Sequence, residues 1–122
     1  MAKILIVDDE DDIRLVVRAM LEEAGYEVEE ASSGIEGLSK MESSKFDLVV
    51  LDFFMPGMSG REVLEKMRDN PATKSTRVVF LTVANFSTSG QDELRKLGCL
   101  DYIQKPVDND DFVRRVASAL KK

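Results

Sequence analysis

The chain reads as a single α/β domain, a doubly wound parallel sheet built from five β-α units. Three observations predict this. Short unbroken apolar runs rich in β-branched residues recur at Ile4–Val7, Leu48–Leu51 and Val78–Leu81, the pattern of strands covered on both faces. Amphipathic stretches at helical spacing lie between them. The length of 122 residues fits one domain near the commonest size, residues 1–122. Strands alternating with helices imply right-handed crossovers and helices on both faces of the sheet. Five strands of this kind are often wound in the order 2-1-3-4-5, with ligands bound beyond the carboxyl ends of the first and third strands.

After the first strand, Ile13, Val16, Val17, Met20, Leu21 and Ala24 share one helical face, and Gly25 stops the helix. Tyr26–Ala31 fills the second strand position. A second helix starts at Ser33, where Glu36 completes a capping box, and continues through Ile35, Leu38 and Met41. Leu48–Leu51 is the third strand. The third helix opens on the capping box Ser59-Gly-Arg-Glu62 and carries Val63, Leu64 and Met67. Val78–Leu81 leads to a weaker fourth helix, from about Ser89 through Leu94 and Leu97 to Gly98. Leu100–Gln104 is the fifth strand, and the last helix begins near Asp108 with Phe112, Val113, Val116, Ala117 and Leu120 inward.

Composition narrows the chemistry. Hydrophobic residues at 43% and charged residues at 33% are the balance of a globular domain with a real core. The net charge of −6 makes direct binding to a phosphate backbone unfavourable. No stretch approaches the roughly 20 apolar residues that span a bilayer, and the apolar start is too short for a signal-peptide core. The single cysteine, Cys99, cannot form an internal disulfide, which suits a reducing cytoplasm, and it reads as a small core residue. Histidine is absent. Serine and cysteine triads of the usual kind and zinc sites built on His are therefore excluded.

What remains is carboxylate chemistry. The first strand runs into Asp8-Asp9-Glu10-Asp11-Asp12 and the third ends at Asp52. In the expected order Asp8, Asp9 and Asp52 converge. Carboxylates that close repel unless a cation or protons intervene, and all-oxygen ligands without histidine suit Mg²⁺ or Ca²⁺, with Mg²⁺ favoured. Glu10, Asp11 and Asp12 read instead as a solvated helix start, with Asp11 or Asp12 as the cap. Thr82 ends the fourth strand and Lys105, followed by Pro106, ends the fifth. Three acids, a hydroxyl and an ammonium at neighbouring strand ends supply the parts of phosphoryl transfer: an attacking carboxylate, a metal, and groups that hold the remaining oxygens. In the loop Met55–Gly60, Pro56 fixes φ while Gly57 and Gly60 permit positive φ over the site.

These residues resemble the receiver domain of bacterial and archaeal response regulators, which has the flavodoxin-like order 2-1-3-4-5. The likeness runs from Lys3 to Leu120. It rests on Ile4-Leu-Ile-Val-Asp8-Asp9, Asp47-Leu-Val-Val-Leu-Asp52, Met55-Pro-Gly-Met-Ser-Gly60, Thr82 and Lys105-Pro106, all in register. The resemblance implies that Asp52 is the phosphoacceptor, receiving its phosphoryl group from a histidine kinase or a histidine phosphotransfer protein. It implies Mg²⁺ on Asp9, Asp52 and the backbone carbonyl of Phe54, with Asp8 acting through water. Thr82 resembles the switch hydroxyl and Lys105 its cationic partner, commonly before a cis peptide to Pro106. Tyr102 stands at the position of the aromatic that moves with the threonine. The implied output face is residues 87–121, read by a downstream protein or a second copy of the domain, with residues 84–90 absorbing the shift.

Two residues depart from the common pattern. Phe54 stands where a polar or aliphatic residue is usual and Val83 where Ala or Gly is usual, and both could crowd the route to Asp52. Three other classes share parts of the pattern. An FMN carrier needs a Ser/Thr/Gly-rich phosphate loop where this chain has acids. A haloacid-dehalogenase-type phosphatase needs a second Asp at the position of Phe54. A degenerate receiver, acting only as an interaction module, stays open.

Overall fold

The computed structural model describes residues 1–83 and 88–122. Five strands, β1 (Lys3–Val7), β2 (Glu27–Ala31), β3 (Leu48–Leu51), β4 (Arg77–Thr82) and β5 (Cys99–Gln104), alternate with five helices. The helices are α1 (Asp11–Glu23), α2 (Gly34–Ser43), α3 (Gly60–Asp69), α4 (Thr88–Lys96) and α5 (Asn109–Leu120). Every strand pairing is parallel, and the sheet order is β2-β1-β3-β4-β5, as expected.

The apolar runs work because each strand side chain meets a helix layer. On β1, Ile4 and Ile6 join Val17 and Leu21 of α1 with Phe112 and Val116 of α5 in one core. Leu5 and Val7 point to the opposite core, with Met41 of α2, Val63, Leu64 and Met67 of α3 and Leu94 of α4. Burying each such side chain contributes about 1.5–3 kcal/mol. All of Ile4–Val7 and Leu48–Leu51 lie buried, which explains why neither run shows polar alternation. The edge strand β2 buries only Val28 and Ala31, and its glutamates face outward or lie half-covered.

The helices depart from the sequence reading in detail. On α1 only Val17 and Leu21 are buried; Val16 and Leu15 are exposed. On α2, Ile35 is 70% exposed, and the buried positions are Gly34, Gly37 and Met41. Gly37 packs so close to Val7 that a Cβ would lie 2.9 Å from its Cγ2. A contact made through missing side chains leaves no apolar signal. Ser33 caps α2 as expected, accepting from the Glu36 N–H at 3.1 Å, but Glu36 reaches back to the Ser32 N–H at 2.6 Å instead of Ser33. The α3 capping box closes as predicted between Ser59 and Glu62. The expected shift-absorbing loop, residues 84–90, and the start of the expected output face at residue 87 fall partly outside the described residues.

Candidate functional site

The parallel order brings the carboxyl ends of β1, β3, β4 and β5 to one rim, where Asp8, Asp52 and Lys105 sit just past a strand and Thr82 ends one. Asp8 follows β1 and Asp52 follows β3; both are buried, 1% and 4% exposed. Asp52 continues the ladder by donating its N–H to the Val7 carbonyl at 2.9 Å. That bond holds the Asp52 carboxylate beside the end of β1. Oxygens of Asp8, Asp9, Glu10 and Asp52 all lie within 4.8 Å of one another. Lys105 crosses from β5 with its ammonium 2.9 Å from Asp8 Oδ2, 2.9 Å from Glu10 Oε1 and 3.6 Å from Asp52 Oδ2. Its backbone N–H donates to the Thr82 carbonyl at 2.9 Å, and the Lys105-Pro106 peptide is cis.

Electrostatics follow from that crowding. Burial first, then the Asp8 and Asp9 charges, push the Asp52 carboxyl up to about 7, opposed by Lys105 and the Phe54 N–H. Burial acts to lower Lys105, but its bonds to Asp8 and Glu10 outweigh it and hold the ammonium above the usual lysine range. Lys105 meets three of these four acids, Asp8, Glu10 and Asp52. Asp8 Oδ2 touches Lys105 only as an ion contact and accepts no hydrogen bond, although it is fully buried. The ammonium offsets part of the cost of burying that oxygen, but its hydrogen-bonding capacity is left incompletely used. A hard divalent cation on these oxygens relieves both problems, so the residues present fit Mg²⁺.

The loop over the site is shaped by two glycines in different ways. Gly57 has φ +78°, open to glycine and strained for other residues. Gly60, expected to use positive φ, does not. Its role is close approach: a Cβ there would collide with the Asp52 carbonyl oxygen and lie 2.8 Å from the Phe53 Cα. The backbone of α3 therefore rests directly on the segment that carries Asp52.

The acidic run behaves differently from the sequence reading at its centre. Glu10, not Asp11 or Asp12, occupies the N-cap position of α1 and makes no side-chain cap bond. Its carboxylate reaches Lys105 instead, which adds a residue that sequence reasoning had assigned to a solvated helix start. The only signal was adjacency to Asp8-Asp9, since the partner lies 95 residues away. Asp11 and Asp12 stay exposed in the first turn.

Thr82 is buried at the end of β4, in register with Gln104 of β5. Tyr102 is half-buried against the core on the α3 side, and its hydroxyl donates to the Gln91 carbonyl of α4 at 2.7 Å. Phe54 and Val83 stand at the rim 58% and 66% exposed, and Phe54 packs edge-on against Phe53. Burial pushes the Cys99 thiol up to about 11, consistent with an inert core residue. A polar cleft of about 310 Å³ bounded by Lys45, Asp47, Thr73 and Arg77 lies at the amino ends of β3 and β4, away from the acids. Among the described residues no helix is long and apolar enough to cross a membrane.

Comparisons with known proteins agree with this geometry. The family described as "Response regulator receiver domain" matches residues 4–117. The chain is 38% identical over 120 residues to the transcriptional activator protein IrlR of Burkholderia pseudomallei, covering 98% of this chain and 51% of that protein. It is 37% identical to the transcriptional regulatory protein ResD of Bacillus subtilis, covering 98% and 48%. It thus spans about half the length of the curated relatives it matches. Among solved structures, the chemotaxis protein CheY4 of Vibrio cholerae superposes with a TM-score of 0.91 at 34% identity, covering 98% of both chains. The response regulator TrrA of Thermotoga maritima, solved in complex with Mg²⁺ and BeF, gives 0.83 at 34% identity, covering 98% and 99%. The sheet order, the acid-rich rim and these matches together make the chain a member of the response regulator receiver domain family of two-component signal transduction.

Proposed function

We propose that Asp52 accepts a phosphoryl group from a phosphohistidine of a histidine kinase or histidine phosphotransfer protein, and that the domain signals by the conformational change that follows. The observation that carries the reading is the convergence of Asp8, Asp9, Glu10 and Asp52 on one point, with the Lys105 ammonium against Asp8, Glu10 and Asp52. An Asp52 carboxylate oxygen attacks phosphorus; the P–N bond breaks as the P–O bond forms, and the imidazole leaves with a proton. Asp9, Asp52 and the Phe54 carbonyl would hold Mg²⁺, with Asp8 contributing through water. The bound ion would neutralise charge developing on the phosphoryl oxygens. Lys105 pairs with one of those oxygens, and the Thr82 hydroxyl donates to another. Water later attacks the acyl phosphate, returning the carboxylate and releasing phosphate. Phe54 and Val83 flank this route and slow the approach of water.

The titration of Mg²⁺ with beryllofluoride, followed by fluorescence or calorimetry, tests the assignment. Wild-type protein binds both, Asp52→Asn loses beryllofluoride, and Asp9→Ala weakens Mg²⁺ far more than Asp12→Ala. Equal losses at Asp9 and Asp12 would mean that the run is only a solvated helix start. Retention of beryllofluoride by Asp52→Asn would remove Asp52 as the acceptor.

A further inference from the structure

Arg14 lies one helical turn into α1. Its side chain is only 12% exposed although it sits on a surface helix. The guanidinium donates from Nη1 to the Asp8 backbone carbonyl at 2.5 Å. Its Nε donates to Glu30 Oε1 of β2 at 3.1 Å, and Nη2 reaches the Asp11 carboxylate. Glu30 is itself fixed, accepting from Arg18 Nη1 at 2.7 Å. The Arg18 bond, against some desolvation, keeps the Glu30 carboxyl below the usual range. Lys40 of α2 donates to the Glu30 carbonyl. The Asp8 carbonyl is thus anchored to Glu30 of β2 through one planar fork, whose fixed donor geometry an ammonium cannot reproduce, and Lys40 ties β2 at that residue to α2.

What that anchor holds is a tight turn. The Glu10 N–H donates to Asp8 Oδ1 at 2.9 Å, the Asp8 N–H donates to Ala31 at 3.1 Å, and the Arg14 N–H closes the first helical turn on Glu10. Asp8, Asp9 and Glu10 repel one another, and a turn of repelling acids opens unless something pins it. We propose that Arg14 is a positioning residue for divalent-cation binding, holding the Asp8–Glu10 turn so that its carboxylates face the same point as Asp52. The inference rests on the receiver reading above, because it presumes that a cation binds there.

The sign of the effect separates positioning from simple charge. Removing a cation near an acidic cluster strengthens Mg²⁺ affinity if only Coulomb attraction matters. If Arg14 positions the ligands, removing it weakens affinity instead. The test is calorimetric titration of the unphosphorylated protein with MgCl₂, alongside thermal unfolding of the same samples. Arg14→Ala is expected to weaken Mg²⁺ about tenfold or more, the usual cost of losing a group that orients metal ligands. Arg14→Lys keeps the charge and lacks the fork; it is expected to bind Mg²⁺ more weakly than wild type and more tightly than Arg14→Ala. It also serves if the alanine variant does not fold. Affinity equal to or tighter than wild type in either variant, whatever the change in unfolding temperature, overturns the proposal. Failure of the parent reading has another signature: Asp9→Ala would then bind Mg²⁺ as wild type does.

Discussion

A carboxyl group buried beside two others keeps its proton to higher pH than it does in the unfolded chain. For Asp52 the rise is from the ordinary 3.8 to about 7, chiefly through burial and then Asp8. Between those values the folded protein without metal holds a proton that the unfolded chain has lost. The stability from this residue is therefore fully present below about pH 4 and is lost as pH rises through about 7. Asp52→Asn is expected to be more stable to unfolding than wild type at pH 8 by at least about 1 kcal/mol, with the gain vanishing near pH 4. A pH-independent gain would contradict the buried-carboxylate account. Mg²⁺ selects the ionised form, so it should raise the wild-type unfolding temperature more at pH 8 than at pH 5. At the rim, Phe54→Asn or Val83→Ala should speed loss or uptake of the phosphoryl group, read by phosphate release. Unchanged rates in both variants would remove shielding from the explanation.

Secondary-structure elements act here mainly as levers that set distances. The start of α3 rests on the Asp52 backbone through Gly60, so Gly60→Ala should cost about 1–3 kcal/mol by overpacking and weaken Mg²⁺ binding as well. Denaturant unfolding and Mg²⁺ titration check the two effects; a variant with wild-type stability would mean that α3 can move away at little cost. Contacts that hold helix α4 include Arg61 to Glu93 at 2.6 Å and Tyr102 Oη to the Gln91 carbonyl at 2.7 Å, and just past its end Arg68 Nε donates to the Leu97 carbonyl at 2.6 Å. At this scale most of the fold was legible in the sequence. Strands buried on both faces leave unbroken apolar runs, and Ser59 with Glu62 marks a helix start by local chemistry. The face of α2 was not legible, because Gly34 and Gly37 bury backbone where the apolar Ile35 is exposed. The site was legible where each residue closes a strand, as Asp8, Asp52, Thr82 and Lys105 do. Glu10 was not, because its role depends on a lysine from the far end of the chain.

Across the whole molecule, one layer of helices carries α1 and α5 and the other carries α2, α3 and α4. A phosphoryl group on Asp52 adds roughly −1.5 to −2 charge at the rim where both layers end. On the proposed function, Lys105 would trade contacts with Asp8 and Glu10 for the phosphoryl oxygens, and Thr82 would turn toward them. Tyr102 would follow, changing its bond to the Gln91 carbonyl of α4. The signal is expected on the face formed by α4, β5 and α5, where a partner or a second copy reads it. A preference of a few kcal/mol between two existing states suffices. Amide exchange with and without beryllofluoride and Mg²⁺ should change along residues 88–102; changes confined to the surroundings of Asp8, Asp9 and Asp52 would contradict this route. Phosphoryl transfer to Asp52 is read directly by intact mass after incubation with Mg²⁺ and a small acyl phosphate. Wild-type protein should gain the mass of one phosphoryl group, lost when Mg²⁺ is chelated beforehand and absent in Asp52→Asn. The same gain in Asp52→Asn, or in wild type without Mg²⁺, would contradict it.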